Sequence, residues 1–238
     1  MKKTMSILLA SIGVLFFTAC EKVVGEGPVV TQTRAVSNFT RISVSIPGKV
    51  NYMIGPVYKV EVSGQQNILD ILQTNMEGQE LVIKVKDGKR LKEHEDIVVT
   101  ISAPRLNFIS LSGSAETNVA GNLIEADLGT KVSGSGNITV QQAILTGKLS
   151  GTISGSGNIK VMSGTTKNED LRISGSGKID LGNLVAERAD SDISGSGDVW
   201  VNLTTALNAT ISGSGSVYYK GNPTISTHVS GSGKVIPF

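Results

Sequence analysis

The tetrapeptide Ser-Gly-Ser-Gly recurs six times in the second half of the chain, and this repeat limits the available folds more than any other feature. A degenerate copy, Ser112-Gly113-Ser114-Ala115, precedes the six, and successive starts from Ser112 differ by 21, 21, 20, 20, 18 and 18 residues. The full copies begin at Ser133, Ser154, Ser174, Ser194, Ser212 and Ser230. This regularity indicates stacked structural units, because a flexible Gly-Ser linker does not repeat with fixed flanking residues.

Apolar residues flank each tetrapeptide in a strand-like pattern. A large aliphatic residue precedes every copy: Leu111, Val132, Ile153, Ile173, Ile193, Ile211 and Val229. After the copies, polar and apolar residues alternate, as in Ile138 with Val140 and Ile159 with Val161. Another apolar residue lies four residues before most of the aliphatic residues, whereas the coil of Ser174 is offset and has Leu171. Alternation with a period of two predicts short strands with one buried face.

The repeat therefore predicts an all-β fold, namely a right-handed parallel β-helix or closely related β-solenoid with about 20 residues per coil. One unit cannot bury its own apolar face, whereas stacked units share a continuous core. Glycine permits the positive φ that a sharp corner needs. Serine hydroxyls are expected to satisfy backbone groups at the corners and to form ladders between coils.

Residues 29–238 are predicted to form a single domain with two parts. Residues 111–238 contain the regular repeats. Residues 29–110 lack the tetrapeptide, but alternating segments such as Ile42–Ile46 predict that this part is also rich in strands. One helical turn is expected between Asn67 and Leu72.

The N-terminus has the features of a bacterial lipoprotein signal. Lys2 and Lys3 precede an apolar run that is too short to be a permanent membrane span. The segment Phe17-Thr18-Ala19-Cys20 resembles a lipobox, in which the cysteine is lipidated and becomes the new N-terminus. We expect residues 1–19 to be a signal peptide, Cys20 to be the site of lipidation, and residues 20–28 to be a short tether. The alternative is an ordinary secretory signal in which Cys20 is incidental.

Cysteine count and charge exclude several classes of protein. Cys20 is the only cysteine, so neither a disulfide framework nor a Cys-ligated metal site is expected. Removal of Lys2 and Lys3 lowers Lys+Arg from 22 to 20, against 20 Asp+Glu, and a near-neutral chain does not indicate a nucleic-acid partner. Glu21 differs from the aspartate that retains enterobacterial lipoproteins in the inner membrane. By that resemblance, we expect lipid anchoring in the outer membrane.

The same segments resemble a known family. The stretch from Val36 to Gly55, the phrase from Gly64 to Leu69, the strand at Leu81 and the Ser-Gly-Ser-Gly repeats are similar to the DUF2807 family, called putative autotransporter adhesin, head GIN domain. The resemblance covers nearly all of the predicted mature chain and implies a β-solenoid in an envelope lipoprotein. The family has no established catalytic residues, so the resemblance implies no active site.

No convergent catalytic or metal-binding motif is evident. The two histidines, His94 and His228, have no partner spacing for zinc or for a catalytic triad. A calcium ladder is disfavoured, because Lys178 and Lys234 occupy positions where it would need ligands. An enzyme acting on acidic polysaccharides, a lyase or a hydrolase, remains the alternative, and Asp190 and Asp192 are interpreted as exposed acids in a loop entering a strand. The candidate acids are Glu169, Asp170, Asp180, Asp190, Asp192 and Asp198.

Alignment of the repeats places two aromatic residues together on the outer surface. The position between the two inward residues after each corner is Trp200 in one coil and Tyr218 in the next. We expect these side chains to stack and interpret them as a candidate surface contact for a protein, for a glycan or for another subunit. The alternative is that they pack against the C-terminal segment Ile236-Pro237-Phe238.

These observations predict a cell-envelope lipoprotein with an adhesin-like β-solenoid domain that serves as a binding or scaffold module. No catalytic residue, metal or cofactor is expected. The expected partners are the membrane, through the anchor at Cys20, and a protein or glycan ligand. A polysaccharide-active enzyme and a purely structural oligomerisation module are the alternatives. The oligomeric state stays open.

Overall fold

The computed structural model describes residues 21–238, and these residues form strands with one short helix. The predicted signal peptide and Cys20 lie outside the described residues. The elements are β1 (Glu21–Val23), β2 (Val29–Arg34), β3 (Arg41–Ser45), β4 (Lys49–Ile54), β5 (Lys59–Gln65), α1 (Gln66–Leu69), β6 (Leu72–Glu77), β7 (Glu80–Val85), β8 (Lys89–Leu91), β9 (Val98–Ala103), β10 (Phe108–Gly113), β11 (Glu116–Glu125), β12 (Leu128–Gly134), β13 (Asn137–Leu145), β14 (Lys148–Gly155), β15 (Asn158–Val161), β16 (Gly164–Gly175), β17 (Lys178–Gly195), β18 (Asp198–Gly213), β19 (Ser216–Gly221), β20 (Thr224–Gly231) and β21 (Lys234–Pro237). The helix in this part of the chain is too short to cross a bilayer.

The repeats form a β-solenoid of about six turns, which confirms the predicted fold class. Each coil has one strand segment before the Ser-Gly-Ser-Gly corner and one after it, and several coils add a third. Segments of neighbouring coils pair in parallel, and equivalent corner residues stay in register, as Ser154 does with Ser174 and Ser174 with Ser194. The number of residues between successive tetrapeptides is therefore the number of residues in one turn of the solenoid.

The core is a continuous stack of aliphatic side chains inside the coils. Ile153, Ile173 and Ile193 lie in register on three successive coils, and none is more than 2% exposed. Arg172, which precedes Ile173 in the strand, points to solvent. The predicted assignment of inward and outward faces is therefore confirmed for these coils.

The first glycine of each corner is required by conformation and, in the six full copies of the tetrapeptide, also by space. Its φ lies between 126° and 143° in all seven corners, a region that residues with a Cβ rarely adopt. A Cβ on Gly175 would lie 2.4 Å from the carbonyl oxygen of Gly155 in the preceding coil. Neighbouring coils therefore approach more closely at the corner than any other residue would allow.

The second glycine is required by space alone. A Cβ on Gly177 would lie 2.4 Å from the carbonyl oxygen of Gly157 and 2.6 Å from a methyl carbon of Ile153. The degenerate first corner has Ala115 at the position of the second glycine, and the coil beneath it turns through the different sequence Ile46-Pro47-Gly48. The complete tetrapeptide therefore occurs in the corners that stack on another Ser-Gly corner.

Backbone groups supply the hydrogen bonds at the corners. The amides of Ser156 and Gly157 both donate to the carbonyl oxygen of Gly134, at 2.9 and 3.0 Å. This finding corrects the expectation that serine hydroxyls form those bonds, since Ser154 and Ser156 point to solvent. The corner conformation points both amides toward the preceding coil, where the carbonyl oxygen of Gly134 accepts their hydrogen bonds.

Residues 29–110 close one end of the solenoid with antiparallel strands, an arrangement that the sequence did not indicate. β3 and β4 stack beneath β10 and β11, and β7 and β9 stack beneath β3 and β4, all in parallel. β6 then pairs antiparallel with β7, and β5 pairs antiparallel with β9 and β2. α1 lies at the predicted helical turn and buries Ile68 and Leu69. We call this region the capped end.

The predicted tether is bound along the capped end. β1 pairs in parallel with β8, and the amide of Glu21 donates to the carbonyl oxygen of Gly88 at 2.9 Å. The side chain of Asn67 bonds to the backbone of Val24 and Glu26. The described chain is therefore part of the folded body from its first residue onward.

The coil at the opposite end of the described chain departs from the predicted burial. Val229 lies in register with Ile211, as its inward assignment requires, but it is 41% exposed. Ile225 in the same strand is 38% exposed. Within residues 21–238 no further coil stacks on this one, so its apolar side chains have a neighbour on one side only.

Substitution of Gly177 by alanine tests the steric account of the corner. We expect Gly177→Ala to lower the free energy of unfolding by about 1–3 kcal/mol, because the new methyl group meets a backbone oxygen that cannot move alone. The adjacent change Ser176→Ala, at an exposed side chain, is the control and should have an effect within about 0.5 kcal/mol. Urea unfolding followed by circular dichroism measures both. Equal stability of the two variants would contradict the account.

Candidate functional site

The two aromatic residues singled out in the sequence stack on the outer surface of consecutive coils. Trp200 and Tyr218 are in register between β18 and β19. Their ring centroids are 4.5 Å apart and the rings are inclined by 12°. The predicted alignment is therefore confirmed. We call this pair, together with the residues in register on either side, the aromatic column.

Both faces of the Trp200 ring are covered. Tyr218 lies on one face, and the ammonium group of Lys178 is 3.7 Å from the ring centroid on the other. Asp180 lies beside this group, with its carboxylate 3.3 Å from Lys160 and 3.9 Å from Lys178. A cation over an indole is an attractive contact in its own right. The column therefore presents ring edges and charged groups to solvent.

The C-terminal segment extends the aromatic column. Ile236 is in register with Tyr218, and the amide of Phe238 donates to the carbonyl oxygen of Tyr219 at 3.0 Å. The Phe238 ring reaches Gly182, where a Cβ would lie 3.0 Å from it, yet Phe238 remains 56% exposed. The packing alternative is thus realised in part, and an apolar edge is left at the surface.

Three of the six candidate acids border one depression, and the other three are not part of its lining. Asp180 is paired with lysines, as above, and Asp198 accepts a hydrogen bond from the amide of Ser216 at 2.8 Å. Asp190 and Asp192 lie within strand β17, which corrects their interpretation as loop residues. With Asp170 and Arg172 they border a shallow depression of about 170 Å³.

Side chains of the protein engage two of the acids that border this depression. Asp170 has Arg172 at 3.1 Å and Lys148 at 3.8 Å, and Asp190 accepts a hydrogen bond from Asn208 at 2.8 Å. Ion pairs and a hydrogen bond within the protein therefore occupy both carboxylates.

The remaining candidate ligands are dispersed. His94 has a ring nitrogen 2.6 Å from the carbonyl oxygen of Glu95, and His228 is exposed on β20. Among residues 21–238 no group of three His, Cys, Asp or Glu side chains is arranged to hold a metal ion.

Two surface features were missed at the level of sequence. Arg105 and Glu125 form a two-point ion pair, with nitrogen–oxygen distances of 2.6 and 3.0 Å, and Tyr52 donates to the backbone carbonyl of Arg105.

The second feature is a row of exposed aliphatic side chains on the third strand segments, which we call the aliphatic stripe. Its members Ile124 and Ile144 are paired in register, at 64% and 37% exposed, and Val185, at 40%, lies two coils further along. The period-two alternation of the sequence predicts that such residues point outward, but it does not show that they lie next to one another on neighbouring coils.

Comparison with known proteins identifies the family. A family model described as "Putative auto-transporter adhesin, head GIN domain" matches residues 38–223. The chain belongs to the DUF2807 family. The match includes the part with antiparallel strands as well as most of the repeats, so family membership extends to the capped end.

Solved structures share the DUF2807 fold. A "putative adhesin" from Bacteroides fragilis is 27% identical, with a TM-score of 0.85, over 91% of this chain and 100% of that one. A "putative lipid binding protein" from Parabacteroides distasonis is 24% identical, with a TM-score of 0.77, over 92% and 100% of the two chains. A "putative adhesin" from Parabacteroides merdae is 23% identical, with a TM-score of 0.74, over 92% and 99%. No curated protein matches the chain.

One candidate acid of this DUF2807 protein lies inside the core. Glu169 is 1% exposed, neither carboxylate oxygen has a hydrogen-bond partner, and its neighbours in register are Leu149 and Ala189. Burial raises the pKa of the Glu169 carboxyl well above its ordinary value. The offset at Leu171 in the sequence is explained by this position, because the charged residue occupies the place of an aliphatic one. Glu169 is therefore no surface acid.

Replacement of Glu169 by leucine should stabilise the protein. With a raised pKa in the folded state, the carboxyl loses its proton in the unfolded chain first, from about pH 4.3 upward, so stability falls as the pH rises toward the folded pKa. We expect Glu169→Leu to remove this slope and to gain about 1–3 kcal/mol at pH 7. Urea unfolding between pH 5 and pH 8 measures the difference. Asp190→Asn is the exposed control, and an unchanged slope in Glu169→Leu would show that the carboxyl does not titrate with folding.

Proposed function

We propose that this DUF2807 protein is an outer-membrane lipoprotein, anchored through Cys20, whose solenoid serves as a binding or scaffold module in the cell envelope. The lipobox and the family's description as an adhesin support the proposal. The observation that carries it is the attachment of β1 to β8. Because Glu21 is already hydrogen-bonded to the body, a lipid on the preceding residue would hold the capped end at the membrane.

This arrangement separates the anchor from the binding surface. Successive strands in a solenoid are about 4.8 Å apart. Trp200 and Tyr218 lie on coils near the far end of the stack from β1. We place the contact surface there, on the aromatic column, with the apolar edge of Phe238 beside it. A partner would then be reached several coils above the anchored end.

The chemistry of the surface favours a protein partner over a glycan. Sugar rings stack on exposed aromatic faces, whereas both faces of Trp200 are covered by Lys178 and Tyr218. Ring edges and an exposed phenyl group are typical of protein contacts. Asp170 and Asp190 are engaged by Arg172 and Asn208, which favours a binding role over catalysis.

The anchor is tested by substitution of the single cysteine. We expect the full chain to fractionate with the outer membrane in its native host and Cys20→Ser to be absent from the outer membrane after a high-salt wash, because two or more acyl chains are needed for stable anchoring. Surface proteolysis of intact cells then distinguishes the outer from the inner leaflet. A Cys20→Ser variant that remains in the outer-membrane fraction after the high-salt wash would contradict lipid anchoring at this residue.

The contact surface is tested with the acyl-free mature chain on an array of envelope proteins and glycans. We expect binding to proteins, reduced about thirtyfold by Trp200→Ala, since a buried tryptophan at a contact is typically worth about 2 kcal/mol. Thr139→Ala, in the same outward column on a coil without an aromatic residue, is the control.

Light scattering of the same variants addresses the oligomerisation alternative. A wild-type assembly that Trp200→Ala dissociates would identify a second copy of the chain as the partner. Equal binding by Trp200→Ala and Thr139→Ala, with unchanged mass, would show that the aromatic column is not a contact surface.

A further inference from the structure

Three cationic side chains converge on one depression at the capped end. In the parallel pairing of β1 with β8, Lys22 lies beside Arg90, and Lys92 follows on the same outward side. All three are exposed, and with Leu91 they line a depression of about 270 Å³. We call these three residues the basic cluster.

Few carboxylates of the protein neutralise the positive charges of the basic cluster. Among residues 21–238, no carboxylate lies within ion-pair distance of Lys22 or Arg90. Lys92 has Glu93 at 3.0 Å, an exposed pair that contributes little. Glu21 and Lys89 pair with each other on the other side of the two-stranded ribbon. Like charges held side by side disfavour one another, so this arrangement is suited to an external anion.

The position of the cluster in the chain indicates which anion it meets. Lys22 is two residues after Cys20, so the two Cα atoms are at most about 7.6 Å apart. β1 holds this short connection on the body through the bond from Glu21 to Gly88. If Cys20 carries acyl chains, Lys22 lies within one Debye length, about 8–10 Å, of the lipidated residue, and Arg90 lies beside Lys22 in register.

We propose that the basic cluster is a membrane-facing surface that binds the phosphate groups of anionic lipids around the anchor. The inference rests on the proposed lipid anchoring for its biological setting, but the binding itself needs only the folded chain. A basic side chain near an anionic bilayer strengthens association about fivefold, so three residues amount to on the order of a hundredfold. Anchor and cluster together would fix the solenoid with its capped end on the membrane.

The test uses the acyl-free mature chain, Cys20→Ser, and sedimentation with vesicles. Vesicles of equal parts phosphatidylglycerol and phosphatidylcholine are compared with vesicles of phosphatidylcholine alone, at 20 and 300 mM salt. We expect binding to the anionic vesicles only, weakened by salt, and reduced on the order of a hundredfold by the triple change Lys22→Gln, Arg90→Gln and Lys92→Gln.

A matched control removes the same charge elsewhere. Lys131→Gln, Lys220→Gln and Lys234→Gln are exposed and distant in sequence from β1 and β8, and this variant should bind as the parent does. All six positions are on the surface, so both variants should unfold at the parent's temperature. An equal loss in the two variants would overturn the proposal, and so would equal binding to the neutral vesicles. Displacement from the vesicles by millimolar inorganic phosphate would assign the depression to a soluble anion and overturn the lipid assignment.

Failure here is separable from failure of the anchor. If Cys20→Ser stays in the outer-membrane fraction of cells after a high-salt wash while the vesicle result holds, the lipidation site is wrong and the basic cluster stands. If the anchor is confirmed while the triple variant binds vesicles as the parent does, the cluster has no role at the lipid surface.

Discussion

The structure depends on the close approach of successive coils at the glycine corners. One or two amides from each full corner reach the carbonyl of the first glycine in the coil before it, and the absent Cβ atoms are what make that distance possible. With the corner fixed, the flanking aliphatic residues are placed inside, where Ile153, Ile173 and Ile193 form one column. Strand direction, register and core all follow from this contact, which repeats from coil to coil.

The two ends of the solenoid differ in structure, and they carry different surface features. Antiparallel strands and α1 close the end at which the described chain begins. There, β1 brings the basic cluster next to the position where a lipid is expected. The aromatic column lies on later coils, where Trp200 and Tyr218 stack along the solenoid axis. The proposed anchor and the proposed contact surface therefore lie toward opposite ends of the solenoid.

The repeats could be predicted from the sequence because one local rule governs each coil. Spacing gave the coil length, alternation gave the inward face, and the aligned positions of Trp200 and Tyr218 gave their stacking. The capped end could not be predicted in the same way, because its antiparallel pairings join segments without a shared motif. The inward position of Glu169 was missed because a carboxylate is expected in water, although the offset at Leu171 marked the anomaly. The basic cluster depends on β1 pairing with β8, a contact across 68 residues that no pattern indicates.

Hydrogen exchange at the corner amides tests the central claim directly. If backbone bonds between coils hold the corners, the amides of Ser156, Gly157, Ser176, Ser196 and Ser214 should exchange slowly, with protection that approaches the global free energy of unfolding in the middle coils. Exposed Ser-Gly segments without such bonds exchange at the rate of an unfolded chain. Slow exchange at these five amides is the result that the stacked-corner account predicts, and unprotected exchange there, with protected strands on either side, would contradict it.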